Sequence, residues 1–178
     1  MLDREIVKLC IAGDRKAQEK LYNFYASKMK GVCLRYSRSI VESEDIFQDG
    51  FVKVFSNLKN YSGQGSFDGW VRRIMVNTAI DTYKKNLPFK NSSQFDEFIE
   101  DELKTVELPD ELEEEDLLNI LSNLPDGYRL VFNLYAIEGY SHKEIAERLN
   151  ISENTSKSQL HRARKLIQQI LFKYNGTR

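Results

Sequence analysis

"SHKEIAERLNISENTSKSQLHRARKLI", residues 141–167, carries two helical patterns separated by a short break, and its reading decides the fold. Ser141 and Glu144 have the spacing of a capping box: the serine side chain accepts from the third amide of the helix while the glutamate reaches back to the Ser141 amide. Leu149-Asn150-Ile151 ends that helix on asparagine, which after glycine best tolerates a left-handed cap. Ser152 suits the N-cap of the next helix. There Leu160, Ala163, Ile167 and Leu171 form an apolar stripe that must face a core. Ser158, Arg162 and Lys165 lie opposite, with Lys157, Gln159 and His161 beside them. A basic helix alone would be an ordinary solvated face. Preceded by a short capped helix with Ile145, Ala146 and Leu149 turned inward, it reads as a helix-turn-helix. Arginine and lysine pair with phosphates or the guanine edge, and glutamine can read adenine, so duplex DNA is the expected ligand.

Working outward, almost every periodic segment predicts helix, and no alternating strand pattern interrupts them. Leu2 to Ala12 puts Leu2, Ile6, Leu9 and Cys10 on one stripe, broken by Gly13-Asp14. Ala17 to Tyr36 continues with Leu21, Phe24, Tyr25, Met29, Val32 and Cys33, and Glu44 to Leu58 with Ile46, Phe47, Phe51, Val54 and Phe55. A turn-rich loop, Asn60 to Ser66, leads into a helix over Phe67 to Lys85, where Phe67, Val71 and Ile74 make an inward seam. Four helices follow: 111–122, 126–138, 142–149 and 153–174. The expected fold is all-α: two small helical domains, 1–86 and 112–178, joined by an acidic linker over 87–111.

Composition agrees. At 178 residues, 41 % apolar and 30 % charged, the chain suits one domain or two small ones. It has no run of the ~18 apolar residues that a membrane span needs, and MLDREIVK lacks a signal peptide's apolar stretch, so a cytoplasmic protein is expected. Cys10 and Cys33 have no metal-ligand spacing and read as buried thiols of a reducing compartment. His142 and His161 sit in helical patterns away from carboxylate or cysteine clusters, so neither a metal, a cofactor nor a catalytic centre is expected. The net charge of −1 hides a partition. From Asn91 to Asp116 twelve acids stand against Lys104 alone, giving −11 and leaving +10 on the rest. Two basic bodies joined by an acidic strap point to a nucleic-acid partner better than the total does. The strap reads as a solubilising tether, or as a segment kept off nucleic acid or admitted to a basic channel of a partner.

With "SEDIFQDGFVKVF" (43–55), "FDGWVRRIMVNTAID" (67–81) and "LPDGYRLVFNLYAIEGYSHKEIAERLNISENTSKSQLHRARKLI" (124–167) in this order, the chain resembles the extracytoplasmic-function group of the sigma-70 family of bacterial RNA polymerase sigma factors. The resemblance covers about 5–85 and 113–172. It implies a two-domain adaptor with no reaction of its own: region 2, a helical bundle, and region 4, the helix-turn-helix. Such proteins carry RNA polymerase core enzyme to promoter DNA. Region 4 reads the −35 element, which the resemblance transfers onto Lys157, Ser158, Gln159, His161, Arg162 and Lys165. Region 2 reads and opens the −10 element while docked on the clamp coiled coil of the largest polymerase subunit. By resemblance, Asp45, Gln48 and Asp49 lie on the docking surface, Asn77 reads a base, and Arg72, Arg73 and Lys84 hold the strand. The loop beginning Asn60-Tyr61-Ser62 holds a flipped base. Trp70 reads either as a core anchor or as an aromatic stop supporting separated strands, and Asp81 as a structural partner within the fold. An anti-sigma partner, often membrane-tethered, is a further implication.

Two positions depart from the family pattern. Ser156 stands where relatives commonly have an apolar residue, and Asn150 where they commonly have glycine in the turn. The main rival function is a stand-alone helix-turn-helix regulator that binds its operator without polymerase. A nuclease or hydrolase would need a convergent carboxylate cluster, whereas the acids concentrate in the strap.

Overall fold

The computed structural model describes residues 4–86 and 114–175. Among them there are helices and turns and no strand, and contacts divide the chain into two units, Met1–Thr82 and Tyr83–Arg178. The linker predicted over 87–111 lies outside the described residues.

The first unit contains α1 (Arg4–Ile11), α2 (Arg15–Tyr36), α3 (Ile40–Asn57), a 3₁₀ turn (Leu58–Asn60) and α4 (Phe67–Asn86) as far as Thr82. Asp14 starts α2 by accepting a hydrogen bond from the Ala17 amide at 2.7 Å. Ser39 starts α3: its hydroxyl accepts from the Glu42 amide, while the Glu42 carboxylate accepts from the Arg38 amide at 2.7 Å. Each cap satisfies donors that the first turn of a helix leaves without partners. The Ser39 cap begins α3 four residues before the predicted Glu44, and so leaves Ile40 and Val41 about 70 % exposed on its first turn.

The core of this unit is Leu21, Tyr25, Met29 and Val32 of α2 against Ile46, Phe47, Phe51 and Val54 of α3, closed by Val71 and Met75 of α4. Burying one such side chain is worth about 1.5–3 kcal/mol. Two predicted core positions are corrected. Leu9 and Phe24 are 43 % and 50 % exposed, whereas their neighbours Cys10 and Tyr25 are buried. Adjacent residues are 100° apart on a helix, and here the core side of each helix runs through Cys10 and Tyr25 and leaves their neighbours at its edge; Val7, not Leu9, completes the α1 stripe. Phe55, Phe67 and Ile74 are half-buried at the edge.

Close approach and two polar ties fix α4. A Cβ on Gly50 would lie 2.2 Å from the Met75 sulfur, so the bare backbone of α3 makes room for a buried side chain. The Tyr25 hydroxyl donates to Asp68 at the head of α4, and Lys28 reaches the other carboxylate oxygen at 3.3 Å. Asp81 pairs with Lys53 of α3 at 2.9 Å; both side chains are about half exposed, which makes this a weak tie.

The second unit contains α5 (Glu114–Ser122), α6 (Asp126–Phe132), a π turn (Asn133–Ile137), α7 (His142–Leu149) and α8 (Glu153–Asn175). The helix predicted over 126–138 is therefore not one regular α-helix. It widens after Phe132, so that the Glu138 amide bonds Asn133 and the Tyr140 amide bonds Leu134. Buried Arg129 donates to the Leu124 carbonyl at 3.1 Å and to Asp126 at 2.8 Å. The capping box of Ser141 and Glu144 is formed, Asn150 adopts the left-handed conformation (φ +56°), and the Ser152 hydroxyl accepts from the Thr155 amide at 2.9 Å. Leu121, Leu134, Ile145, Ala163 and Ile167 form the centre of this unit.

Candidate nucleic-acid interface

On α3 the core-facing residues leave Asp45, Gln48 and Asp49 exposed on the opposite side. Their three- and four-residue spacing puts them on one face. Val52, 65 % exposed, follows Gln48 by four residues, and Val41 precedes Asp45 by four. The face is thus a polar patch with an apolar residue at each end. Sequence reasoning missed the two valines, although the four-residue spacing was available to find them.

The loop between the 3₁₀ turn and α4 is held by its own side chains. The Tyr61 hydroxyl donates to the Gly65 carbonyl at 3.0 Å, the Asn60 amide donates to the Asn57 side chain at 3.1 Å, and the Ser62 hydroxyl accepts from the Gln64 amide at 3.4 Å. Gly63 and Gly65 both have φ near +77°, a conformation that costs other residues free energy. The loop folds back so that Tyr61 meets Phe67 (5.0 Å between ring centroids) and Trp70 (5.5 Å), while Phe67 and Trp70 stack at 5.4 Å. Phe67 also reaches buried Tyr25 at 5.8 Å. All three rings of the trio remain half-buried. Trp70 therefore packs on the loop and still presents ring surface to solvent. Phe67, predicted only as core, is the member that sequence reasoning missed.

Arg73 is exposed on α4 and Arg72 and Asn77 are half-buried. Lys84, also exposed, lies about 10 Å beyond Asn77 at the helical rise of 1.5 Å per residue. The structure brings Tyr61 and Trp70 together; Lys84 is set apart from them along α4.

On α8, Lys157 and Lys165 are exposed and Ser158, Gln159, His161 and Arg162 are half-buried. Ser158 donates to its own helix, at the Thr155 carbonyl, 3.0 Å away. Gln159 and Arg162 lean toward α6. A Cβ on Gly127 would be 3.1 Å from the Gln159 amide nitrogen, and Arg162 donates to the Tyr128 hydroxyl at 3.3 Å. Lys157, Ser158, His161 and Lys165 therefore form the outward strip, with Gln159 and Arg162 along its α6 edge. Two basic residues outside the predicted set lie nearby in the unit: Arg148 covers the Tyr140 ring at 4.2 Å, and Arg164 stands 5.8 Å from the Tyr135 ring.

Behind the strip, His142 Nδ1 is hydrogen-bonded to the Ser156 hydroxyl at 2.9 Å, and its ring stacks on Tyr135 at 4.6 Å. Burial, with Lys157 and Arg164 nearby, holds the imidazole below its ordinary protonation range. Burial pushes the Cys33 thiol up to about 12 and raises Cys10 as well, so both are protonated near neutral pH and poor nucleophiles. Among the described residues no group of three or more histidine, cysteine or acidic side chains could hold a metal, and no helix is long and apolar enough to cross a membrane.

The region 2 model of the sigma-70 family matches residues 21–87, and its region 4 model matches 114–167. The ECF RNA polymerase sigma-E factor of Escherichia coli (strain K12) is 30 % identical over 179 residues, covering 94 % of this chain and 93 % of that protein. The ECF RNA polymerase sigma factor SigW of Bacillus subtilis (strain 168) is 27 % identical over 187 residues, covering 96 % and 97 %. Among solved structures, the fold is similar to that of CnrH in complex with the cytosolic domain of CnrY, with a TM-score of 0.51 at 21 % identity, covering 96 % of this chain and 97 % of that one. It is likewise similar to that of the sigma factor RpoE of Bartonella quintana in complex with the anti-sigma factor NepR, with a TM-score of 0.51 at 20 % identity, covering 86 % and 95 %. The helix-turn-helix of one unit and the helical bundle of the other are thus regions 4 and 2, and the chain belongs to the extracytoplasmic-function group of the sigma-70 family of RNA polymerase sigma factors.

Proposed function

We propose that the three surfaces divide the work of promoter recognition. The Asp45, Gln48 and Asp49 face of α3, with Val41 and Val52 at its ends, docks on the clamp coiled coil of the polymerase core. The outward strip of α8 enters the major groove of the −35 element. Lys157 and Lys165 hold phosphates there, and Ser158, Gln159, His161 and Arg162 meet base edges or the backbone.

The observation that carries the −10 assignment is the half-buried trio of Tyr61, Phe67 and Trp70 at the head of α4, the helix that also bears Arg72, Arg73 and Asn77. Opening a duplex requires a place for unpaired bases, and each base stacked on an aromatic ring is worth about 1–3 kcal/mol. The loop through Asn60 and Ser62 shapes the pocket, Asn77 reads a base, and the arginines and Lys84 track the strand. The chain catalyses no reaction: it works in the cytoplasm by binding duplex, separated strands and polymerase differently, and the polymerase makes the RNA. An anti-sigma protein holds it inactive, a reading supported by the similarity of its fold to that of the sigma factor RpoE of Bartonella quintana in complex with the anti-sigma factor NepR.

The test is a gel shift on a promoter fragment with and without core polymerase, followed by permanganate probing of thymines in the −10 element. Sequence-specific binding and thymine reactivity should both require the core. Tight specific binding by the free chain would favour a stand-alone regulator instead.

A further inference from the structure

Ser156, a departure from the family pattern, lies on the inner side of α8 with no exposed surface. A hydroxyl in such a place requires a hydrogen-bond partner, and His142, the first residue of α7, supplies it through Nδ1 at 2.9 Å. Tyr135 of the π turn fixes the imidazole from its flat side, with planes inclined by 22°. One polar pair thus joins the start of the first helix of the motif to the N-terminal part of the reading helix, immediately before Lys157.

We propose that His142 and Ser156 form a positioning latch which seats α8 for −35 recognition, and that protonation of His142 releases it. This rests on the assignment of α8 to the −35 element. The groups facing the ring decide the direction. From α8 come two cations, Lys157 and Arg164, and one acid, Glu153; from the π turn comes Tyr135, whose own ring has Arg164 within 5.8 Å. The neutral ring has one donor and one acceptor nitrogen, and the serine hydroxyl can complement either at Nδ1. A proton taken from solvent by the remaining lone pair leaves a cation facing two cations and one acid, a net positive charge, across the helix contact. That repulsion acts between α7 and α8, where the latch holds them together.

The test uses the full chain bound to core polymerase and a promoter selected by that holoenzyme at pH 7.5. Two labelled fragments differ only in whether the −35 element is intact or scrambled. The ratio of their affinities is followed by fluorescence anisotropy from pH 7.5 to about pH 5, through the ordinary histidine range. The wild-type ratio should fall by about fivefold, the order expected for losing one net hydrogen bond. His142→Asn keeps an amide able to bond Ser156 and does not titrate here, so its ratio should equal wild type's at pH 7.5 and fall about fivefold less by about pH 5. The latch is read from the difference between the two pH profiles, in which any change common to both proteins cancels. Ser156→Ala should lower the ratio already at pH 7.5. A wild-type ratio that stays high and constant with pH, or a His142→Asn ratio that falls in parallel with wild type, would overturn the latch. A wild-type ratio of one at every pH would overturn the −35 assignment, and the latch with it.

Discussion

Tyr25, with no exposed surface on α2, donates its hydroxyl hydrogen to the Asp68 carboxylate at the head of α4, forty-three residues later in the chain. The bond holds the end of α4 from which Phe67 and Trp70 meet Tyr61. A core contact thereby determines where the candidate strand-opening surface sits. Burial, reinforced by the bond to Asp68, raises the tyrosine well above its ordinary range, while the same bond holds the Asp68 carboxyl below its own.

Tyr25→Phe should therefore destabilise the first unit by about 1.5–3 kcal/mol, the usual range for a hydrogen bond to a charged group. Because the folded carboxyl titrates below the unfolded one, its contribution is complete above the unfolded value and disappears as pH falls through the folded value. Urea denaturation should accordingly find the difference between wild type and variant full at neutral pH and shrinking below about pH 4. An equal difference at pH 7 and pH 2.5 would mean that the phenol acts only through packing.

At the turn of the helix-turn-helix, Asn150 occupies left-handed backbone. Asn150→Gly should leave stability unchanged or raise it slightly, whereas Asn150→Val should cost about 1–2 kcal/mol. Thermal melting of both variants checks this. A valine variant as stable as wild type would show that the turn can relax to another conformation.

Much of this second unit was legible in the sequence because its signals are local. Ser141 with Glu144, Asn150 and Ser152 each act within four residues, and all three form as read. The Ser39 cap is equally local, but the apolar run beginning at Ile46 drew the predicted start of α3 to Glu44. Ties between distant residues left no such trace. Nothing near Tyr25 announces Asp68, and nothing near Ser156 announces His142; Gly50 acquires its reason only when Met75 lies across it. Periodicity identified the buried stripes yet placed Leu9 and Phe24 inside, since a hydrophobicity pattern cannot say which of two adjacent apolar residues wins the core. On the α8 surface the sequence supplied the residue types, whereas the lean of Gln159 and Arg162 toward α6 depends on Gly127 and Tyr128.

Arg129 is a buried cation held by Asp126 and the Leu124 carbonyl. Asp126→Ala would remove a carboxylate from a buried cation, at a cost of about 3–5 kcal/mol. Chemical denaturation followed by circular dichroism should show an early transition belonging to the second unit. A loss below about 1 kcal/mol, the scale of an exposed pair, would contradict the buried ion pair.

Lys165 stands exposed on the outward strip of α8. If it holds a phosphate, Lys165→Ala should weaken holoenzyme binding to all promoters about equally and reduce the slope of log affinity against log salt by about one. Binding at several salt concentrations measures the slope. An unchanged slope would remove Lys165 from the interface.

The most direct measurement is transcription in vitro from a random promoter library, with purified core polymerase and either wild type, Asn77→Ala or the double variant Gln48→Ala, Asp49→Ala. The division of labour proposed here predicts a −35 and −10 consensus for wild type and a changed −10 preference for Asn77→Ala. The double variant should lose transcript output by about tenfold or more while retaining its fold, the effect of losing about 1.4 kcal/mol or more of docking free energy. Equal output and identical consensus from all three proteins, or firm promoter occupancy by the free chain without core enzyme, would contradict it.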